Sequence, residues 1–414
     1  MLKVLETQTP EQTEGQVTLD EIAREGARRM LVAALQAEAT DYVDRHRGER
    51  DEEGRALVVR NGKARKRHVT VGSGTLEVEA PRVHDRRPGE RFTSGILPPY
   101  MRRSPKVAEV LPLLYLRGLS TGDFREALPV LLGEKASGLS PTAITRLVGQ
   151  WEEEYTGFRK RDLSAEEYVY VWVDGVHFRV RLEEDRLCTL VVLGVRRDGT
   201  KELLAVEDGY RESAESWSAV LRDLKRRGMK APRLAIGDGA LGFWKAVREV
   251  WPETREQRCW IHRLANVLDK LPKRLQAKAK RALHEIMDAE TREDAEKEIA
   301  QFVEDYEAKY PKAVASLRRS QDALLTFFDF PAEHWKHIRS TNAIESSFAT
   351  VRLRTRVTKG AGSRTRALVM AFKLLAMAEK RWRKIDAPAL AESLALGARF
   401  ENGVQTQEDA KEAA

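Results

Sequence analysis

The chain has 414 residues, 42% hydrophobic and 33% charged, with 72 Lys and Arg against 64 Asp and Glu, a net charge of +8 and a pI near 9.3. This composition excludes an overall disordered, collagenous or coiled-coil protein, and against about 150 residues per domain the length predicts two or three domains. No run of about 18 apolar residues and no basic-apolar leader at Met1–Asp20 are present, which predicts a cytoplasmic chain without membrane spans. Cys188 and Cys259 alone cannot build a disulfide framework or a four-cysteine zinc site, and no 20–50-residue period recurs.

Residues 1–44 form a helical region, in which Leu19 to Tyr42 places Ala23, Ala27, Met30, Leu31, Ala34 and Leu35 at helical spacing. Residues 45–104 read as a small basic β-rich segment, with strands at Ala56–Arg60, His68–Val71 and Thr75–Ala80 in one antiparallel sheet. Arg45 to Lys106 holds 16 Arg and Lys against 8 Asp and Glu, a surplus of 8 that equals the net charge of the whole chain. Such a surplus favours a polyanionic partner, and Lys63, Arg65, Lys66 and Arg67 are its candidate DNA contacts. Residues 105–155 return to helix, with breaks at Gly118–Thr121 and Gly133–Ser140 and a Ser140 cap before Pro141, in a helix-turn-helix-like pattern that suits a DNA-reading motif or a plain helical bundle.

A second domain opens at residues 166–263 with β-rich Tyr168–Val173, an alternating strand Phe178–Leu182 and an apolar run Leu187–Arg196. Lys201–Glu207 supplies a further strand, Ala214–Arg227 an amphipathic helix and Arg233–Gly237 a buried strand, which together make a mixed α/β sheet. Residues 264–335 are helical in character and interrupt that domain. Residues 336–400 contain a long helical stretch to Arg383, and 401–414 read as a disordered tail.

Asp174 ends the first strand before Gly175, and Asp238 lies between glycines after the buried strand. Each taken singly reads as a turn residue, because Asp beside Gly is a common turn pair. Glu345 taken singly reads as the third residue of a capping box begun by Asn342. Together, two strand-end aspartates and a later glutamate beside a basic segment supply the hard oxygen donors suited to Mg²⁺ or Mn²⁺. Two such ions about 4 Å apart serve phosphodiester displacement.

Several stretches resemble the Mutator-type transposases of bacterial insertion sequences. They are Val173-Asp-Gly-Val-His177, Ile236-Gly-Asp-Gly-Ala240, Cys259-Trp-Ile-His262 and Ser340-Thr-Asn-Ala-Ile-Glu-Ser346, with Leu97-Pro-Pro-Tyr-Met-Arg-Arg103 and Leu119-Ser-Thr-Gly-Asp-Phe124 in the N-terminal part. The resemblance implies an RNase H-like mixed sheet interrupted by an all-helical insertion, preceded by a basic N-terminal α+β DNA-binding region. It implies a metal-dependent DDE transposase that cuts at its element's terminal inverted repeats and joins the freed ends to target DNA. Asp174, Asp238 and Glu345 would then be the catalytic residues and the ligands of two Mg²⁺ or Mn²⁺ ions. The resemblance further implies a homodimer on double-stranded DNA, associated with the nucleoid, and joining through a circular copy of the element.

Cys259 and His262 correspond to the family's Cys-x-x-His signature. As two ligands without a nearby partner cysteine they fall short of a structural zinc site, which leaves a packing or DNA-facing role near the second aspartate. His177 reads as an exposed strand residue, and Trp260 and Trp335 as core aromatics or stacking platforms for an unpaired base. Arg339 to Arg366 carries seven basic residues, namely Arg339, Arg352, Arg354, Arg356, Lys359, Arg364 and Arg366, against the single acid Glu345. Of these, Arg352, Arg354, Arg356 and Lys359 are candidate phosphate contacts. Two other readings use the same residues: an inactive RNase H-like DNA-binding regulator, and a metal-dependent nuclease without strand transfer.

Overall fold

The computed structural model describes residues 18–119, 121–136, 140–179, 186–209, 213–239, 241–357 and 363–406, in two compact units that divide between Ile144 and Thr145. In the first unit α1 (Leu19–Arg45) starts at a capping box in which Thr18 and Glu21 satisfy each other's backbone N–H groups. Its inner face packs Leu35 against Val69, Leu76, Val78 and Leu97. Four strands follow, β1 (Val58–Lys63), β2 (Arg67–Val71), β3 (Gly74–Val78) and β4 (Pro81–Asp85). They form two separate antiparallel pairs, β1–β4 and β2–β3, rather than the single three-stranded sheet expected. The strand β4 escaped the sequence reading because Pro-Arg-Val-His-Asp offers a single apolar residue.

At the end of β4 the Asp85 carboxylate accepts from Tyr42 Oη (2.6 Å) and from Arg87 Nε and Nη2 (3.0 and 2.7 Å), which ties the strand to α1. The Arg87 guanidinium holds this carboxyl well below the usual carboxylate range against the opposing effect of burial. Helices α2 (Pro105–Arg117), α3 (Thr121–Leu132) and α4 (Pro141–Lys160) occupy the expected helical region, and α4 runs on into the second unit.

The second unit is built on five strands: β5 (Tyr168–Arg179), β6 (Arg186–Arg196), β7 (Lys201–Gly209), β8 (Leu234–Gly237) and β9 (Arg255–Arg258). Their order is β7-β6-β5-β8-β9, with β5, β6 and β7 antiparallel and β8 and β9 added in parallel. The helices α5 (Ala214–Arg226) and α6 (Leu241–Val250) connect the parallel strands, and their Trp217, Leu221, Phe243 and Val247 pack on the face that carries Val171 and Val173. Residues of opposite parity line the other face. There Tyr170 Oη meets His334 Nδ1 at 2.8 Å and Trp172 Nε1 donates to the His337 carbonyl at 3.1 Å. Within the β-meander Glu202 is buried and accepts from Tyr168 Oη (2.8 Å), Arg161 Nη1 (2.6 Å) and Arg196 Nε (2.5 Å).

Two strand expectations change. Phe178 does not begin a new strand, since β5 continues through Asp174 and Gly175 to Arg179 in antiparallel register with β6, and residues 180–182 of the expected strand lie outside the described residues. Arg255–Arg258 is a strand although its sequence is wholly polar, because β8 offers it a parallel edge.

The helical block follows as α7 (Trp260–Leu268), α8 (Lys273–Met287), α9 (Arg292–Tyr306), α10 (Pro311–Arg318), α11 (Gln321–Leu325) and α12 (Trp335–Ile338). Its two ends meet, where Trp260 N–H donates to the Arg339 carbonyl at 2.9 Å. The long helical stretch expected to reach Arg383 is two helices, α13 (Asn342–Val357) and α14 (Arg364–Glu379), the second capped by Ser363. After α15 (Pro388–Ala395), β10 (Phe400–Glu401) and β11 (Val404–Gln405) form a hairpin, so order extends past Glu401, where the tail was expected to begin. Residues 407–414 lie outside the described residues. Among the described residues no helix is long and apolar enough to cross a membrane.

Candidate functional site

The parallel register of β5 with β8 pairs Tyr170 with Leu234 and Trp172 with Ile236. Two residues past that last pair on each side come Asp174 and Asp238, the latter just beyond the end of β8. On the next strand Gly237 pairs with Arg258, and Cys259 follows that pair. Asp174 is therefore not the end of its own strand. It lies just past the stretch where β5 has its parallel neighbour, and both aspartates are half-buried. Asp174 shares its parity with Tyr170 and Trp172 and thus the face opposite α5 and α6. The helix that carries Glu345, α13, packs against β5.

Glu345 is not the third residue of a capping box. The helix α13 begins at Asn342, and the Thr341 carbonyl accepts both Ile344 N–H and Glu345 N–H at 3.0 Å, so Thr341 caps the helix and Glu345 stands one position too far along for the box. The Thr341 hydroxyl is fully buried and lies 2.6 Å from Glu345 Oε1, 3.2 Å from Cys259 Sγ and 3.4 Å from His262 Nδ1. A hydroxyl has one proton to donate, and the shortest contact, in the charge-assisted range, assigns it to Glu345. Cys259 Sγ instead receives Thr341 N–H at 3.3 Å.

Cys259, His262 and Glu345 have donor atoms within 4.8 Å of one another, a grouping that could hold a metal. The Thr341 hydroxyl stands within 3.4 Å of all three, which makes the group a hydrogen-bonded network joined through that oxygen. Asp174 and Asp238 are not members of this compact group.

The charges of the network interlock. The hydrogen bond to Cys259 first, and then the negative charges of Cys259, Glu345 and Asp174, raise His262 to about 9 against the opposing effect of burial. Burial alone would push the Cys259 thiol up, but hydrogen bonds from His262 and Thr341 outweigh it and leave it below its ordinary value. An imidazolium near Glu345 and Asp174 offsets part of the repulsion among the acids. Beside the other aspartate, burial lowers the proton affinity of Arg258 and the charge of Asp238 partly restores it. The Arg258 guanidinium approaches Gly239 so closely that a Cβ there would stand 2.1 Å from Arg258 Cζ, and Gly239 has a φ of +94°.

Other predicted residues separate into groups. Trp260 is fully buried with Nε1 donating to the Leu324 carbonyl at 2.9 Å, and Trp335 packs edge-on to Phe327 and Phe328, so both serve the core rather than base stacking. His177 is exposed on β5. Arg352 and Arg356 are exposed on α13, whereas Arg354 is buried at 5% exposure and leaves the set of surface contacts. Lys359 lies outside the described residues. Arg339 pairs with Asp288 at 2.9 Å and Arg364 with Asp208 at 2.8 Å.

In the first unit Lys66 pairs with Glu77 at 2.9 Å, and Lys63 reaches Glu79 at 3.9 Å. Arg67 donates to the Leu97 and Pro98 carbonyls and braces that loop, while Arg65 is exposed. The sequence reading missed Thr341 and Arg258. Their signal was adjacency, since each stands next to a motif residue or within a motif already singled out.

The chain is 59% identical over 297 residues to the transposase for insertion sequence element IS6120 of Mycolicibacterium smegmatis, covering 72% of this chain and 92% of that protein. It is 50% identical over 288 residues to the transposase for insertion sequence element IST2 of Acidithiobacillus ferrooxidans, covering 68% and 95%. It is 29% identical over 347 residues to the transposase for ISRM5 of Rhizobium meliloti, covering 81% and 82%. The family described as "Transposase, Mutator family" matches residues 2–384, which takes in both units and every candidate site residue, and the chain belongs to that family of transposases.

Proposed function

We propose that this transposase binds the terminal inverted repeats of an insertion sequence and performs metal-dependent strand cleavage and strand transfer, with Asp174, Asp238 and Glu345 as metal ligands. The observation that carries the reading is the register of β5 with β8: Asp174 and Asp238 each lie two residues past its last pair, and the Glu345 helix packs against β5. The strand order β7-β6-β5-β8-β9, with the helical block between the second aspartate and the glutamate, supports an RNase H-like core.

An oxygen-only donor set of three carboxylates fits Mg²⁺ or Mn²⁺ better than a softer ion. Two such ions, when bound, would activate the attacking water or 3′ hydroxyl and stabilise the leaving oxygen. The chain's own residues prepare that site. Thr341 fixes one oxygen of Glu345, and Cys259 receives Thr341 N–H at the mouth of α13. His262 adds positive charge between Glu345 and Asp174. The exposed Arg352 and Arg356 follow Glu345 on the same helix and would hold the DNA backbone. The basic first unit would recognise element ends, and a homodimer would pair two of them.

Cleavage of terminal-repeat duplex by the full chain tests the reading. Wild type with Mg²⁺ should cut at the element boundary, chelation should stop it, and Asp238→Asn should bind the same duplex without cutting it. Cleavage by Asp238→Asn at the wild-type rate would refute the assignment.

A further inference from the structure

An open cavity of about 450 Å³ lies in the second unit, lined by five arginines, Arg248, Arg255, Arg258, Arg318 and Arg319, around Ser320. Three of them have partners. Arg248 forks onto Glu256 (2.6 and 2.8 Å), Arg255 pairs with Asp329, and Arg318 reaches Glu307 at 3.2 Å. Arg258 and Arg319 make no ion pair among the described residues, although the acids Glu256 and Asp322 also line the cavity.

Behind them Arg263 is buried at 3% exposure and donates to the Ser316 carbonyl, Ser316 Oγ and Ser320 Oγ, none of them charged. Ser320 Oγ also accepts from Arg258 Nη1 at 2.8 Å, so one hydroxyl serves two guanidiniums. Arg258 Nε and Arg263 Nε are buried with no hydrogen-bond partner among the described residues. Burial, and then the charges of Arg258 and Arg319, pull Arg263 down to about 10. Three guanidiniums gathered with no carboxylate paired to them among the described residues leave charge and N–H groups unsatisfied, and a guanidinium fork matches the paired oxygens of a phosphate.

The cavity is also placed for the reaction. Arg258 lines it, lies against Gly239 and feels the charge of Asp238. We propose that the cavity is a phosphate subsite for the DNA backbone, in which Arg258 and Arg319 hold a phosphodiester close to the one presented to Asp238. This rests on the proposed cleavage of DNA at that aspartate. The subsite positions the strand and reads no sequence.

The test uses the full chain and a salt series of binding to terminal-repeat duplex and to scrambled duplex. Arg319 is exposed, so Arg319→Gln leaves the fold intact, and Arg258→Gln is the second variant. Each should lower the slope of log affinity against log salt by about 0.9 and reduce affinity about eightfold at 0.1 M salt, equally for both duplexes. Arg248→Gln, whose guanidinium is already paired with Glu256, should change neither. Unchanged slope and affinity in Arg319→Gln and in folded Arg258→Gln would overturn the proposal, even if the wild type cuts element ends. A flattened slope in a protein that cuts no element end would instead refute the proposed end cleavage and leave the phosphate subsite standing. Protection of the wild type by orthophosphate against heat, with the DNA slope unchanged in both variants, would overturn the assignment to DNA.

Discussion

Thr341→Val removes one oxygen and almost no volume, so it isolates what the buried hydroxyl does. In the wild type that hydroxyl donates to Glu345 Oε1 over 2.6 Å and lies within 3.4 Å of Cys259 Sγ and His262 Nδ1. A hydrogen bond to a charged group contributes about 1.5–3 kcal/mol. The Glu345 side chain is 27% exposed, so water can take over part of the role, and the cost in folding stability should sit near the lower bound, about 1.5 kcal/mol. The effect on chemistry should be larger than that on melting, because a carboxylate free to rotate no longer presents its oxygens in a fixed place. If the whole interaction is expressed in the transition state, cleavage falls about 10- to 100-fold, at roughly 1.4 kcal/mol for each factor of ten. Single-turnover cleavage of terminal-repeat duplex with Mg²⁺ reads the effect, with melting temperature and duplex affinity measured alongside. Thr341→Ser keeps the hydroxyl and should retain most of the rate. A Thr341→Val protein that melts normally and cleaves within about twofold of wild type would show that the hydroxyl does not orient Glu345.

Replacing the exposed Arg352 and Arg356 together with Ala should lower the salt slope of duplex binding by about 2 units while leaving the preference for element ends nearly unchanged. An unaltered slope would assign them to the solvated surface. The lowered Asp85 carboxyl contributes stability that is fully present above its unfolded value near 4 and is lost as pH falls towards its folded value. Protection factors for amide exchange in α1 and β4, corrected for the intrinsic pH dependence, should therefore fall on acidification in the wild type, and much less so in Asp85→Asn. Equal acid sensitivity in the two proteins would rule the residue out. Glu202→Ala removes the buried carboxylate shared by Arg161 and Arg196, which are about one-third exposed and keep contacts to the Leu203 carbonyl and Glu166, so the loss should fall at or below the lower end of about 3–5 kcal/mol. Denaturant melts that overlay those of the wild type would contradict this.

The acids were legible because each stands at a point where local pattern breaks: Asp174 and Asp238 precede glycine in apolar strands, and Glu345 opens a helix. What the pattern could not give was how Asp174 stands relative to Asp238, because that depends on the parallel register of β5 with β8, a contact between residues far apart in sequence. Glu345 shows how a one-residue shift changes a reading. With Asn342 as cap it would complete a box, but with Thr341 as cap its side chain turns to the hydroxyl instead. On α13, Arg352, Arg354 and Arg356 look alike as charges, yet helical geometry turns Arg354 away from the other two and buries it. The wholly polar β9 carried no strand signal, since its pairing comes from the neighbouring edge and not from its own side chains.

The joined ends of the helical block bear on how such a protein can change length. Trp260 N–H and the Arg339 carbonyl close residues 261–338 at their base, one residue from Cys259 and two from Thr341. Everything beyond that bond is, for the acids, a closed excursion, and doubling a closed excursion costs only about 0.6 kcal/mol in chain entropy. Whole helices could be gained or lost there without moving Asp238 relative to Glu345. The spacing between these two acids along the chain is thus free to drift among relatives, while the two short segments flanking the bond must keep their geometry.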